Sequence, residues 1–297
     1  MYDLTSIDNI DLDTQDILLD FYLLSMCNLK CKYCIAQEDR KRTFVMKKDD
    51  IDKVINAIKI SERKFKITVL GGEPFLHPQL AYVIEQLEKL ENVKSIWIFT
   101  NGTKYKHLPY SQKLILSISY HIWQRIPTIF RFVEDAKKDN MNINLSIMGY
   151  KVKQNLKNTI NLITGCKKLD PDLVVDLEPI IDEVVKCKER DELEKLREYQ
   201  NSDDAFVYKG EKYNVLDIYD KLISGEIDLK NYRCFCNRYF VGKNLEVNNY
   251  CLYSQPDTLT KNPYYFRDVI VPEFSCTAEC NRKCILDQDI GNQKFLK

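Results

Sequence analysis

The stretch DILLDFYLLSMCNLKCKYC, residues 16–34, joins an apolar segment to three cysteines that fall within eight positions. The segment 16–25 is rich in aliphatic and aromatic residues and has the length of a buried β-strand. Five comparable segments follow: KITVLGG (66–72), SIWIFTNG (95–102), KLILSISYH (113–121), NINLSIMGY (142–150) and LVVDLEPII (173–181). We interpret them as mostly continuous apolar runs, the pattern typical of parallel strands that are covered on both faces.

Helical patterns alternate with these strands. In DDIDKVINAIKI (49–60) the aliphatic residues fall on one face, and Asp49 or Asp50 is placed to cap the helix start. Similar patterns occupy HPQLAYVIEQLEKLENV (77–93), PTIFRFVEDAKKDN (127–140), KVKQNLKNTINLITGC (151–166) and RDELEKLREYQ (190–200). A strand followed by a helix about six times predicts parallel crossovers, and therefore an α/β barrel or an open sheet.

Length and charge limit the classes of protein that fit. The 297 residues suffice for one large domain and a small one, and 44 basic residues balance 44 acidic ones. Zero formal charge disfavours a nucleic-acid partner, because phosphate binding normally requires a basic excess. The acidic start, MYDLTSIDNIDLDTQD, is not a signal peptide, and no apolar run has the length of a membrane span. We therefore expect a cytoplasmic protein without a membrane partner.

Eleven cysteines are unlikely to form a disulfide framework in that compartment, so their clustering indicates metal ligation or thiol chemistry. The first group of cysteines directly follows the first strand. This places the three thiols at the carboxyl-terminal edge of the sheet, where α/β proteins bind ligands. Three thiolates can bind three irons of a [4Fe–4S] cluster and leave the fourth iron open. The alternative is a zinc site with a fourth ligand from elsewhere, for which C-x3-C-x2-C is unusual spacing.

The residues in and after this cluster resemble a known superfamily. CNLKCKYC, with an aromatic residue before its third cysteine, resembles the signature of the radical S-adenosylmethionine (SAM) enzymes. VLGGEPFLHP, at the end of the second strand, matches the GGEP motif of that superfamily at Gly71, Gly72, Glu73 and Pro74. The resemblance covers residues 16 to about 181 and implies a partial (β/α)6 TIM-like barrel. It also implies an electron donor of the flavodoxin or ferredoxin type.

The resemblance assigns the cofactor ligands to particular residues. Cys27, Cys31 and Cys34 would bind the [4Fe–4S] cluster, and the amino and carboxylate groups of SAM would chelate its open iron. The backbone around Gly71–Glu73 would bind the amino group of SAM, because glycine permits a close approach.

Further residues follow from the same resemblance or from their places at strand ends. Tyr33 would contact the adenine, while Asn101 and Ser119 would contact the ribose and the carboxylate of SAM. A simple turn at TNG and a filled strand position at Ser119 are the alternatives. His121 ends the fourth strand and is a candidate for proton transfer, unless it is a structural histidine. Glu178 ends the sixth strand, where it could contact SAM or the substrate.

A second group of cysteines follows a change of pattern near residue 200, so we predict domains at 1–200 and 201–297. CFCNRYFVGKNLEVNNYC (234–251) is typical of a hairpin around Gly242, and CTAECNRKC (276–284) adds three cysteines. This group resembles the SPASM/twitch domains, which implies at least one auxiliary [4Fe–4S] cluster. The spacing departs from the seven-cysteine pattern, and a structural zinc site is the alternative. The six candidate ligands are Cys234, Cys236, Cys251, Cys276, Cys280 and Cys284.

Three functions are compatible with these features. The resemblance implies an enzyme that cleaves SAM to a 5′-deoxyadenosyl radical, which abstracts a hydrogen atom from an unactivated C–H bond. Only 26 residues precede Cys27, which we take to leave no room for a domain that binds a leader peptide. We therefore expect the oxidation or epimerisation of a small, sugar-like alcohol. The alternatives are the epimerisation, crosslinking or oxidation of a ribosomally made peptide, and a non-catalytic zinc or iron–sulfur module.

Overall fold

The computed structural model describes the greater part of residues 16–201 and shorter stretches before and after them. The described residues are 2–3, 16–34, 43–149, 151–178, 190–201, 205–208, 211–214, 217, 221, 224–227, 233–236, 238–249, 257–263, 265–268, 273–275 and 293–296. Four of the predicted auxiliary ligands, Cys251, Cys276, Cys280 and Cys284, lie outside these residues.

Fifteen strands occur in the described parts of the chain. They are β1 (Tyr2–Asp3), β2 (Ile17–Tyr22), β3 (Phe65–Leu70), β4 (Val93–Thr100), β5 (Leu114–Tyr120), β6 (Asn142–Met148), β7 (Val174–Glu178), β8 (Ala205–Tyr208), β9 (Glu211–Asn214), β10 (Arg233–Cys236), β11 (Arg238–Val241), β12 (Glu246–Asn249), β13 (Asp257–Thr258), β14 (Glu273–Ser275) and β15 (Gln293–Leu296). All six strands predicted for the core are present, and β2 to β7 pair in parallel in chain order. This parallel sheet is consistent with the predicted TIM-like fold.

Helices connect the parallel strands, as the sequence pattern predicts. They are α1 (Lys48–Lys59), α2 (Leu80–Glu88), α3 (Ile126–Lys138), α4 (Leu156–Leu169) and α5 (Arg190–Leu196), with 3-10 turns at Pro74–Leu76, Val152–Asn155, Arg197–Tyr199 and Lys243–Leu245 and a short helix at Tyr265–Asp268. The cap predicted for α1 is wrong, because the helix begins after Lys47, whose side chain makes no cap hydrogen bond. Asp49 and Asp50 lie in the first turn instead, where carboxylates favour the positive end of the helix dipole.

One face of the parallel sheet is almost entirely apolar, and we call it the helix-covered face. Its side chains join the buried sides of α1 to α4 in a single hydrophobic core. In a parallel sheet, paired residues point to the same side, so the register identifies the members. They are Ile17, Leu19, Phe21, Phe65, Ile67, Val69, Ile96, Ile98, Leu114, Leu116, Ile118, Ile143, Leu145, Ile147, Val175 and Leu177.

The opposite side of the same strands, the polar face, mixes apolar residues with polar ones. Its polar members are Asp20, Lys66, Thr68, Ser95, Ser117, Ser119, Asn142, Asn144, Ser146, Asp176 and Glu178. The expectation of continuous apolar runs is therefore wrong for this side of the sheet. The last three strands alternate between polar and apolar residues, which is typical of a sheet with one hydrophobic face.

The hairpin predicted around Gly242 is confirmed, and it belongs to the central sheet. β11 and β12 pair antiparallel, and β11 also pairs in parallel with β2. The sheet order is therefore β13-β12-β11-β2-β3-β4-β5-β6-β7. Arg238 of β11 adds a cation to the polar face, where its Nε and Nη2 lie 2.9 and 2.8 Å from Oδ2 of Asp20. This buried ion pair joins the C-terminal hairpin to the first strand of the core.

Two small sheets complete the described strands, with orders β1-β8-β9 and β14-β10-β15. Cys234 and Cys236 lie in β10, and Cys234 is paired with Phe274 on one side and Phe295 on the other. The separate domain at 201–297 and the auxiliary cluster stay predictions. Within the described residues, no helix is long and apolar enough to cross a membrane.

Candidate cofactor site

The site begins where two neighbouring parallel strands end. β2 continues into residues 26–34, the cysteine loop, and β3 continues into residues 71–74, the GGEP loop. Two backbone hydrogen bonds join the ends: Gly72 N donates to Leu24 O at 2.7 Å, and Glu73 N donates to Met26 O at 2.8 Å. The parallel register of the strands thus brings together the two motifs that the sequence predicts for one site.

Glycine is required in the GGEP loop because the two loops pack closely. A Cβ atom added at Gly72 would lie 2.1 Å from the carbonyl oxygen of Met26. A Cβ atom at Gly71 would lie 2.6 Å from Leu24 Cδ2 and 2.7 Å from Leu24 O. Such distances exclude any side chain without a shift of backbone. The two glycines thus permit a close approach of the chain's own backbone. The close approach that the sequence predicts, between these glycines and SAM, stays a prediction.

The cysteine loop presents three thiols that form no disulfide. Cys31 is buried, whereas Cys27 and Cys34 are partly exposed. Among the described residues, no three His, Cys, Asp or Glu side chains converge on a point that could hold one metal ion. A [4Fe–4S] cluster does not require such convergence, because each thiolate binds a different iron.

Two N–H groups are directed at the sulfur of Cys27. The backbone N–H of Leu29 lies 3.4 Å from Cys27 Sγ, and Nδ2 of Asn101 lies 3.7 Å from the same atom. Hydrogen bonds of this kind surround the thiolates of iron–sulfur sites, where they stabilise the charge on sulfur. The chemistry of this donor set therefore fits an iron–sulfur cluster.

Glu73 connects the GGEP loop to the end of β4. Its buried carboxylate accepts hydrogen bonds from Thr100 Oγ1 at 2.7 Å, Asn101 N at 2.8 Å and Phe75 N at 3.1 Å. Burial raises the pKa of Glu73, and these donors oppose that shift because they favour the carboxylate. Pro74 starts the 3-10 turn that follows. Glu73 is thus a structural link between β3 and β4.

A second set of contacts joins the cysteine loop to the end of β5. The hydroxyl of Tyr33 shares a short hydrogen bond with Nδ1 of His121, and the His121 ring stacks on Trp123 with a centroid distance of 5.5 Å. The backbone N–H of His121 donates to Gln124 Oε1 at 2.6 Å, and Gln124 Nε2 donates to the carbonyl of Asn101. Two residues predicted for different roles, Tyr33 and His121, are therefore direct partners.

Ser119 and Glu178 lie on the polar face, two and four strands away from β3. Both are partly exposed, and Ser119 is paired with Ser146 across the sheet. Their contacts to SAM or to a substrate stay predictions.

Sequence reasoning missed several residues that shape the site. Asn28, Thr103 and Gln124 hold the loops together through contacts between distant positions, 75 residues apart for Asn28 and Thr103 and 23 for Gln124 and Asn101. No local pattern signals such contacts. The polar face could have been found from the sequence, because polar and apolar residues alternate strictly in NINLSIM (142–148) until its last residue.

The family model of the Radical SAM superfamily matches residues 22–156, which contain the cysteine loop, the GGEP loop, Asn101, Ser119 and His121. The human Molybdenum cofactor biosynthesis protein 1 is 30% identical over 127 residues, which cover 41% of this chain and 20% of that protein. A probable GTP 3′,8-cyclase from Methanococcus maripaludis is 28% identical over 156 residues, 52% of this chain and 44% of that protein. The chain thus spans less than half the length of these relatives.

Solved structures with a similar fold include two that hold peptides. SuiB from Streptococcus suis, bound to its precursor peptide SuiA, superposes with a TM-score of 0.59 at 16% identity, covering 86% of this chain and 65% of that one. Native anSMEcpe, with bound AdoMet and the Cp18Cys peptide, gives a TM-score of 0.51 at 13% identity, covering 91% of this chain and 96% of that one. At such low identity these similarities establish the fold alone.

Proposed function

We propose that this chain, whose residues 22–156 form a radical SAM superfamily domain, holds a [4Fe–4S] cluster on Cys27, Cys31 and Cys34 and uses it to cleave SAM. The observation that carries the proposal is the pair of N–H groups directed at Cys27, in a loop hydrogen-bonded to the GGEP loop. When reduced, such a cluster supplies the electron that splits SAM into methionine and a 5′-deoxyadenosyl radical, which abstracts a hydrogen atom from an unactivated C–H bond.

The residues around the loops would bind and orient the cofactor. The backbone of Gly71–Glu73 would accept the amino group of SAM, and Tyr33 would contact the adenine. The hydrogen bond to His121 restrains the ring of Tyr33, so the tyrosine would need little reorganisation when the cofactor binds. Asn101, Ser119 and Glu178 are the proposed contacts to the ribose, the carboxylate or the substrate. His121 is the candidate for moving a proton.

The polar face favours a small, hydroxyl-bearing substrate that is oxidised or epimerised. Ser117, Asn144 and Ser146 offer short hydrogen-bonding side chains in neighbouring strands, and the hydroxyls of Ser117 and Ser146 lie 3.3 Å apart. The described cations of this face are Lys66 and Arg238, and both have acidic partners: Lys66 Nζ lies 3.8 Å from Asp16 Oδ2, and Arg238 is paired with Asp20. A neutral, polyhydroxylated molecule suits this lining better than a triphosphate does, because a triphosphate requires several cations.

A ribosomally made peptide is the alternative substrate, to be epimerised, crosslinked or oxidised. It is favoured by the two neighbours of similar fold whose structures contain peptides. In either case we propose at least one auxiliary [4Fe–4S] cluster on four of the six C-terminal cysteines. A flavodoxin- or ferredoxin-type protein is the proposed electron donor.

The test is a comparison of single cysteine variants under anaerobic conditions. We expect the reconstituted chain to release 5′-deoxyadenosine when it receives SAM and dithionite, and we expect Cys31→Ala to lose this activity completely. Cys166→Ala is the matched control, because Cys166 is buried in α4, outside the cysteine loop, and burial raises its pKa to about 12, which favours the protonated thiol. Zinc in place of iron, with no cleavage of SAM, would favour the non-catalytic module instead.

A further inference from the structure

The carboxamide of Asn101 is held in one orientation at the end of β4. The side chain is buried, with 6% of the residue exposed, and its Oδ1 accepts hydrogen bonds from the backbone N–H of Thr103 at 3.0 Å and from the Thr103 hydroxyl at 2.5 Å. Because both donors take the oxygen, the nitrogen of the amide must face the other way. That direction is toward the cysteine loop.

The Asn101 nitrogen has two acceptors in the cysteine loop. Nδ2 lies 2.9 Å from Asn28 Oδ1 and 3.7 Å from Cys27 Sγ. Asn28 also donates a hydrogen bond to the turn that contains Asn101: its Nδ2 lies 2.7 Å from Thr103 Oγ1. The three polar side chains thus form a closed set of hydrogen bonds beside the first cysteine. Each partner fixes the orientation of the next.

The backbone of Asn101 is fixed as firmly as its side chain. Its N–H donates to Glu73 Oε2 at 2.8 Å, and its carbonyl accepts from Gln124 Nε2. The backbone of Asn101 therefore cannot move away from Cys27 without breaking its contacts to Glu73 and Gln124. Its carboxamide cannot rotate away without breaking those to Thr103 and Asn28. A donor held in this way is preorganised, and its effect on the sulfur is not weakened by motion.

We propose that Asn101 is a positioning residue that raises the reduction potential of the cluster through its N–H···S contact with Cys27. The inference rests on the proposed function, since it requires a cluster on that thiolate. Reduction adds negative charge to the cluster and to its sulfur ligands, and an N–H dipole stabilises that charge. The same contact holds the cysteine loop against the TNG turn. Asn101 thus acts on the metal through Cys27.

The test is an EPR-monitored redox titration of the reconstituted full-length chain without SAM. Omitting SAM ensures that any contact between Asn101 and the ribose cannot contribute to the result. The signal that Cys31→Ala removes identifies the cluster in question. Asn101→Leu removes the donor without adding charge, and Thr103→Val keeps Asn101 but removes the hydroxyl that orients it. Asn92→Ala is the matched control, because the Asn92 carboxamide donates to the carbonyls of Ile58, Ser61 and Arg63, at the opposite end of β3.

We expect the ratio of reduced to oxidised cluster at a fixed potential to fall about tenfold in Asn101→Leu, which equals ~59 mV for one electron. Thr103→Val should shift the potential less and in the same direction, and Asn92→Ala should not shift it. An iron-loaded Asn101→Leu with the parental potential would overturn the inference. If Asn101→Leu loses its iron, the reduction potential of Thr103→Val becomes the test. An unshifted potential in Thr103→Val would overturn the inference as well. A parental chain that binds no cluster would instead overturn the proposed function.

Discussion

The two faces of the central sheet use the same strands for different purposes. On the helix-covered face, neighbouring residues such as Leu116 and Leu145 are fully buried in one continuous core. On the polar face, the next residues along the same strands are Ser117 and Ser146, whose hydroxyls meet at 3.3 Å. Burying a polar group costs free energy unless it is hydrogen-bonded, and these two buried serines are hydrogen-bonded to each other. One face thus supplies the apolar core, and the polar face is the one on which the proposed substrate would lie.

The largest effect is expected from a pair of adjacent substitutions in β5. Leu116→Ala should lower the free energy of unfolding by ~2–5 kcal/mol, because it opens a cavity in the core. Ser117→Ala should lower it by about 1 kcal/mol or less, because it removes only one hydroxyl contact. Urea unfolding of the full chain measures both. Equal losses of unfolding free energy would show that the two faces of the sheet are packed alike.

The ion pair between Asp20 and Arg238 is a part of the polar face that is buried from solvent. The side chain of Asp20 is 1% exposed and that of Arg238 is 17% exposed. Asp20→Ala should lower the free energy of unfolding by about 3 kcal/mol. This is the lower end of the range for a broken buried ion pair, because Arg238 retains some access to water. The double variant Asp20→Ala/Arg238→Met should recover most of this loss, since no buried charge remains without its partner. If the double variant is no more stable than Asp20→Ala, the unpaired charge of Arg238 does not explain the loss of stability in Asp20→Ala.

A smaller, pH-dependent effect is expected from His77 on the helix side of the GGEP loop. Its Nε2 lies 3.1 Å from Met46 O and its Nδ1 accepts from Gln79 N, so the ring is held neutral. Burial lowers the pKa of His77, and the charge of Lys106 acts in the same direction. Between this lowered value and the ordinary value near 6.5, the unfolded chain binds more protons than the folded one.

Stability should therefore rise with pH through that window and be lost as pH falls below about 6.5. His77→Gln should lack this loss, which urea unfolding at pH 5.5 and pH 7.5 can measure. Parallel pH profiles for the parental chain and the variant would contradict the assignment.

Much of the fold could be predicted from the sequence, because local patterns determine it. Alternating strand and helix segments gave all six parallel strands, and a motif directly after a strand had to lie at the carboxyl-terminal edge. The cysteine loop and the GGEP loop are therefore neighbours as predicted. The attachment of β11 to β2 was not predictable in this way, because it joins residues about 220 positions apart. The same limit applies to Asn28, Thr103 and Gln124, which bind across loops that no short pattern relates.

The polar face could have been predicted from SISY, NINLSI and VVDLE, where polar and apolar residues alternate in neighbouring strands. The apolar content of each whole segment is high, and it masks this alternation with a period of two residues. The roles of Asn101 and Glu73 depend on side-chain orientation, which spacing alone does not determine.

The proposed function requires that the three thiolates leave one iron open for SAM at the carboxyl-terminal edge of the sheet. Electron–nuclear double resonance of the reduced, full-length chain with SAM labelled by ¹⁵N at its amino group tests this most directly. We expect a coupling between the cluster and the labelled nitrogen, absent in Cys31→Ala and unchanged in Cys166→Ala. A fully loaded, reduced cluster that shows no such coupling would contradict the account.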